Sequence, residues 1–432
     1  MSNSPSDRAT SRATRREPFA DSPAVGSRGL RTHQLILDAA LEAFGESGYA
    51  RTTMDRIADL AGCSRIAIYQ YVSGKDELFE RLSAQAATQM WAAMEALGPI
   101  TPDAGGHASL HTFITRLADV EVRYEPIVRA FEAVGARDTS MAAGAASILE
   151  RGVSLVEARL GGAVVAPRML DPTVELLNTG IVSALCRVST LRAAAPEDYG
   201  RQRVDLALAD VAHRMLFGVL PDVNVHAPPV ARPAPRLSLS DEADALFVRA
   251  RALDADSTNP RKRALRSMLE VAPELAVERG FRGLRIEDII RAAGVSRGSF
   301  YSYFDDIEDY VRVVGAQAIH EMSVVVDELP ESAAPRTLRP WLARHAEVNR
   351  RSGALVRIWI EAAEGPTSGD RAAVVDRSRS RLAALLRTRA LGDVDVDAAI
   401  LLAFIEIYGS RTRSRAELDA EVAAIERAFL SS

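Results

Sequence analysis

The sequence predicts an all-α protein built from two similar units, and three observations carry that prediction. Apolar residues recur at helical spacing, as in Met54, Ile57, Ala58 and Ala61 at i, i+3, i+4 and i+7. One ten-residue stretch occurs twice: Gly62-Cys63-Ser64-Arg65-Ile66-Ala67-Ile68-Tyr69-Gln70-Tyr71 returns 232 residues later as Gly294-Val295-Ser296-Arg297-Gly298-Ser299-Phe300-Tyr301-Ser302-Tyr303. The hydrophobic fraction of 47% fills cores, while aromatics reach only 6%, a balance that suits close-packed helices.

Residues 1–29 are rich in Ser, Arg, Pro and Gly and are expected to form a disordered basic tail, either tracking phosphates or simply solvated. A helix over 31–47 buries Ile36, Ala40, Ala43 and Phe44. Thr53 caps the next short helix, because its hydroxyl accepts an orphan N–H. Gly62 ends that helix, since a sharp turn needs the left-handed geometry glycine adopts. Ser64 caps a third helix, which turns Ile68 and Val72 inward and Arg65, Ala67 and Gln70 outward. Two short helices around such a turn form a helix-turn-helix, whose second helix fits a DNA major groove. In the second copy Ile286, Ile289, Ile290 and Ala293 stand 232 residues after Met54, Ile57, Ala58 and Ala61, and Gly280-Phe281 answers Gly48-Tyr49. Matching register over this length indicates internal duplication. Pro273 falls inside the first helix of the second copy and should kink or split it.

These residues carry a resemblance. Ile36 to Phe44, Gly48-Tyr49, Thr52-Thr53, Ile57-Ala58, Ala61-Gly62, Tyr69 and Lys75-Asp76-Glu77-Leu78 closely resemble the DNA-binding domain of tetracycline-repressor (TetR) family regulators. Gly280-Phe281, Ile289, Ala293 to Tyr301 and Tyr303-Phe304 resemble it again. The resemblance covers roughly 30–90 and 260–320. It implies two repressor units fused in one chain, each with a helix-turn-helix head and a helical body for ligand binding and dimerisation. It also implies that a fourth helix, starting near Lys75, joins head to body, and that the last two helices of each body form the interface. The chain would then be an intramolecular pseudo-dimer.

The expected boundaries are a tail at 1–29, a first DNA-binding head at 30–78 and a first helical body at 79–220. A Pro-rich linker with a short helix follows at 221–257, then a second head at 258–306 and a second body at 307–432. Body helices are expected near 107–122, 125–136, 140–160, 171–191 and 197–218, and near 307–328, 337–350, 353–363, 370–390, 395–411 and 415–430. The helices at 171–191 and 197–218 are expected to pack on those at 395–411 and 415–430.

In the first head Arg65, Ala67 and Gln70 are the candidate base readers, since Arg suits guanine and Gln adenine. Thr53, Tyr69, Tyr71 and Lys75 suit phosphates, which orient a domain without reading sequence. In the second head Arg297, Ser299 and Ser302 match the readers, and Arg285, Tyr301 and Tyr303 the phosphate set. Ser64, Ser296 and Gly298 complete the two reading turns. Ile66 stands where the family usually has Gly, and Ala67 where it has Thr or Ser. Ile307 replaces Lys75 in the second copy. Trp91, Trp341, Trp359 and Arg357 are candidates for an effector site, with core packing or a surface ion pair with Glu361 as the alternatives.

The net charge of −5 argues against a general basic coat. Positive charge is local: Arg261 to Asp305 carries nine basic residues against six acidic ones, and Arg8, Arg12, Arg15, Arg16, Arg28 and Arg31 precede or open the first head. Cys63 and Cys186 are the only cysteines, which fits a reducing cytoplasm. No apolar run is long enough to span a bilayer. His107 and His111 have a metal-compatible spacing without an evident third ligand and read as surface histidines. No phosphate-binding loop, zinc-protease motif or nucleophile elbow is present. The expected function is therefore a DNA-binding regulator of operator DNA, without cofactor or metal, released by a small apolar effector. The alternatives are a helical-bundle enzyme centred on His107 or His111 and a non-sensing architectural DNA binder.

Overall fold

A computed structural model describes residues 27–134, 139–161, 167–194, 199–221, 260–330, 335–362, 368–387, 393–407 and 414–430. Every named element among them is helical, and one isolated bridge joins Ile100 to Leu160. The chain divides into two compact units. The first holds the residues through Thr88 with Tyr124–Ala130, and the second holds Gln89–Arg123 and Phe131 onward.

In the first unit α1 (Ser27–Arg51) is interrupted at Gly48, whose φ of 75° ends the regular helix one residue after the expected position. It begins at Ser27, so 27–29 are helical and not part of a disordered tail. Thr32 already bonds back to the Arg28 carbonyl at 3.0 Å in this first turn. Next come α2 (Met54–Ala61), α3 (Arg65–Ile68) and α4 (Lys75–Glu95). The unit boundary falls inside α4, beyond the expected edge at 78. Ile36, Ala40, Phe44, Ile57, Ile68, Val72, Leu78 and Phe79 are buried. Phe44, Tyr49 and Phe79 cluster, with centroids 5.3, 5.0 and 6.4 Å apart.

The two helices expected near 107–122 and 125–136 meet within α5 (Ala104–Val134) at Tyr124, whose φ of −107° and ψ of 17° are not helical. Pro126 explains the kink, because it removes a backbone donor and crowds the preceding turn. The kinked turn belongs to the first unit, where Pro126 reaches Gly45.

In the second unit α6 (Thr139–Arg159), α7 (Pro167–Ala194) and α8 (Arg201–Phe217) complete the first body. Residues 222–259, with the expected linker and its short helix, lie outside the described residues. The second head follows as α9 (Pro260–Glu270), α10 (Ala272–Gly283), α11 (Ile286–Ala293) and α12 (Arg297–Tyr301). Pro273 splits its first helix as expected, taking a place in the opening turn of α10 where its missing N–H costs little. The aromatic cluster has moved. Ala276 occupies the place of Phe44, and Phe300, Phe304 and Tyr310 fill the space instead, with centroids 5.3, 5.1 and 6.0 Å apart. The Tyr310 hydroxyl donates to the Met268 carbonyl at 2.7 Å, tying α13 to α9.

The second body contains α13 (Ile307–Asp327), α14 (Pro335–Ala362), α15 (Ser368–Leu386), α16 (Val394–Ile407) and α17 (Arg415–Ile425). A wider turn at Glu426–Leu430 ends it. The two helices expected at 337–350 and 353–363 are one. Ser352 sits buried at the expected break, and its hydroxyl donates to Glu321 on α13 at 2.8 Å, satisfying it without interrupting α14. Head and body are continuous here, since α10 packs on α14.

The bodies meet through α7 and α8 against α16 and α17, as the resemblance implies. At Gly180 of α7 the two helices come close together: a Cβ there would lie 2.3 Å from the Phe404 ring of α16. Polar ties cross the same contact. Arg203 pairs with Asp393, Arg187 with Glu406, and Arg214 with Asp397 at 3.1 Å. Burial pushes Asp397 up to about 7 against the pull of Arg214. No helix among the described residues is long and apolar enough to cross a membrane.

Candidate nucleic-acid interface

The reading turn is built the same way in both heads. In the first, Thr53 accepts from the Arg56 N–H at 3.2 Å and Gly62 takes a left-handed φ of 63°. Ser64 accepts from the Ala67 N–H at 3.2 Å. In the second, Gly294 has φ 65° and Ser296 accepts from the Ser299 N–H at 3.0 Å. Arg285 stands where Thr53 stands, so α11 has no side-chain cap. Ile68 and Val72, or Phe300 and Phe304, anchor the helix to the core and leave its outer face to solvent.

On that outer face the two heads repeat a contact that sequence reasoning missed. Arg65 lies 3.1 Å from Asp55 and its guanidinium centre is 5.8 Å from the Tyr69 ring centroid. Arg297 lies 3.1 Å from Glu287 and 5.9 Å from the Tyr301 centroid. Asp55 and Glu287 are 232 residues apart, like every other matched pair. Acidic identity at matched positions was the available signal. All three groups of each set are exposed, so the contact orients the guanidinium more than it stabilises the fold.

The remaining candidates fall into three environments. Gln70 and Thr53 are exposed, as are Tyr69, Arg285, Tyr301 and Ser302. Tyr71 and Tyr303 are half-buried; Tyr71 stacks on His33 at 6.5 Å, and Tyr303 packs on the head core. The serines of the second head bond locally, Ser299 with Ser296 at 2.9 Å and Ser302 to the Gly298 carbonyl at 2.8 Å. Lys75 serves the fold of the head. Its ammonium donates to the Tyr49 carbonyl at 2.9 Å and the Thr52 carbonyl at 3.2 Å, over the Tyr49 ring at 4.7 Å. Tyr49 in turn donates to Asp76. Ile307 cannot form this clamp and packs against apolar neighbours instead. Burial pushes the Cys63 thiol up, which lowers its thiolate fraction and disfavours redox chemistry there.

The body candidates are placed unevenly. Trp341 is buried, with its indole N–H donating to the Val325 carbonyl at 2.7 Å. Trp91 is half-buried, with the Arg151 guanidinium 4.0 Å from its centroid. The side chains of Arg357, Trp359 and Glu361 lie outside the described residues. His107 is not a surface residue: it is buried, with Nε2 2.7 Å from Asp210 and its ring 5.7 Å from His213. The partner carboxylate on α8 is 103 residues away, beyond any local pattern. Among the described residues no group of three or more His, Cys, Asp or Glu is placed to hold a metal.

Comparison with known proteins agrees with this geometry. Residues 36–82 and 268–312 each match the profile of bacterial regulatory proteins, tetR family. A 100-residue stretch is 30% identical to the uncharacterized HTH-type transcriptional regulator YhgD of Bacillus subtilis, covering 23% of this chain and 51% of that protein. A 69-residue stretch is 35% identical to the HTH-type transcriptional repressor AcnR of Corynebacterium efficiens, covering 16% of this chain and 37% of that protein. The chain thus spans about half or less of the length of these curated relatives. With two matching heads, each folded around the same capped turn, the chain carries two helix-turn-helix domains of the tetR-family type in tandem.

Proposed function

We propose that one chain reads two unlike half-sites of an operator and that a small apolar effector weakens this binding. The observation that supports it best is the pair of heads with one backbone plan and different outer faces, Arg65-Ile66-Ala67 and Gln70 against Arg297-Gly298-Ser299 and Ser302. Arg65, Ala67 and Gln70 read bases in one half-site, and Arg297, Ser299 and Ser302 in the other. Tyr69, Tyr301, Thr53 and Arg285 lie on phosphates. Tyr71 and Tyr303 approach the backbone from the half-buried rim, and Lys75 reaches a phosphate only by exchanging a carbonyl for it.

Repression is favoured over activation by the printed name of one relative, a repressor. Helical bodies well beyond the size of the heads support effector sensing, with Trp91, Trp341, Arg357 and Trp359 as the residues to vary first. Effector and DNA then oppose each other through one coupling free energy. The test is selection of duplexes from a random pool by the full chain, followed by footprinting. A bipartite site with two different halves supports the proposal. A single half-site, or binding without sequence preference, contradicts it.

A further inference from the structure

The outer face of the first head presents a large apolar side chain where the second head has glycine. Ile66 is 78% exposed, more than any other large hydrophobic residue among those described. It sits in the first turn of α3, between Arg65 and Ala67 and two residues after the cap Ser64. The core is served by Ile68, which is fully buried, so Ile66 is not needed for packing in the head. Nor does the turn demand a large residue there. The matching Gly298 adopts no left-handed φ, and a Cβ on it would meet only the Ser296 hydroxyl, at 3.8 Å. Beside Ile66 stands Ala67, against Ser299 in the second head. The first turn is therefore apolar in one head and polar in the other, on the same backbone.

An isoleucine cannot exchange hydrogen bonds with a base edge. The apolar feature that the four standard bases present in the major groove is the C5-methyl group of thymine. We infer that Ile66 is a specificity-determining residue that packs on a thymine C5-methyl in the half-site of the first head, and that the second head has no such contact. The inference rests on the assignment of α3 and α12 as reading helices.

Removing the methyl alone tests it, because deoxyuridine pairs as thymidine does and leaves the minor groove unchanged. With the full chain and its selected operator, each thymidine is replaced singly by deoxyuridine, and Arg297→Ala marks the half-site of the second head. At least one substitution in the first half-site should weaken binding about threefold to tenfold. Ile66→Ala should remove that sensitivity while leaving the thermal midpoint in place, and Gly298→Ile should create it in the second half-site. Insensitivity at every thymidine of the first half-site overturns the inference, as does a sensitivity that Ile66→Ala leaves intact. Failure to select any operator instead removes the assignment of the reading helices, and the inference with it.

Discussion

At the scale of single residues, Arg65 and Arg297, the arginines proposed to read bases, are held in place by contacts within each head. Arg65 and Arg297 each rest between a carboxylate of the preceding helix and a tyrosine ring. An arginine bonded to guanine through two contacts is worth about 1–3 kcal/mol of discrimination. Arg297→Ala should therefore lose that much on the specific site and relax preference at one position. Equal loss on random duplexes would make Arg297 a phosphate contact. Glu287→Gln removes a negative charge beside Arg297 and should strengthen binding to any duplex, which titration against random DNA detects. A second residue sets a pH dependence. Burial pushes His345 down to about 4 from an ordinary 6.5. Between those values the unfolded chain binds the extra proton, so stability falls as pH falls from about 6.5 toward 4. The full span is worth roughly 3 kcal/mol. His345→Phe keeps an aromatic ring against Trp341 and should flatten this part of the profile in urea midpoints taken from pH 4.5 to 7. A profile as steep as that of the unsubstituted chain would assign the effect elsewhere. The caps at Thr53, Ser64 and Ser296 were legible in the sequence because each acts within three residues. The Lys75 clamp and the His107–Asp210 pair were not, since their partners lie 23 to 103 residues away.

At the scale of elements, apolar periodicity located the helices well where turn chemistry marked their ends. Pro273 and Gly62 each act where the sequence placed them. The break expected between 350 and 353 does not occur. A carboxylate on the neighbouring α13 satisfies Ser352 and lets α14 continue. The contact of α7 with α16 depends on a missing side chain. With Phe404 lying over Gly180, Gly180→Val should force the helices apart and cost about 1–3 kcal/mol or more. Phe404→Ala in the same chain should recover part of that loss, measured as thermal midpoints of the single and double variants. Additive losses would show that the two residues do not share a packing site. The choice of glycine at 180 was not legible, because periodicity assigns a face to a helix but not the partner that approaches it.

At the scale of the molecule, duplication and the all-α class were legible, since each is written in apolar periodicity or repeated stretches, whereas the pairing of the last helices of each body was expected from the family resemblance. Which parts group together was less legible: the first unit takes α4 as far as Thr88 and the turn Tyr124–Ala130, whereas the second head is continuous with its body through α10 and α14. The contact of α7 and α8 with α16 and α17 buries Leu177, Ile181, Leu185, Leu208 and Met215 in one core with Ile400, Leu401, Phe404 and Phe429. A chain ending after residue 225 leaves that face open and should self-associate. A soluble monomer in sedimentation would mean the first body is complete alone. The central claim is that two different heads in one chain read two different half-sites, whereas a homodimer reads a palindrome. Competition among three operators tests it most directly: the native site and the two palindromes made by copying each half over the other. Each palindrome should bind more weakly, by about 1–3 kcal/mol for every mismatched base pair. Equal affinity for all three would show that the heads read alike.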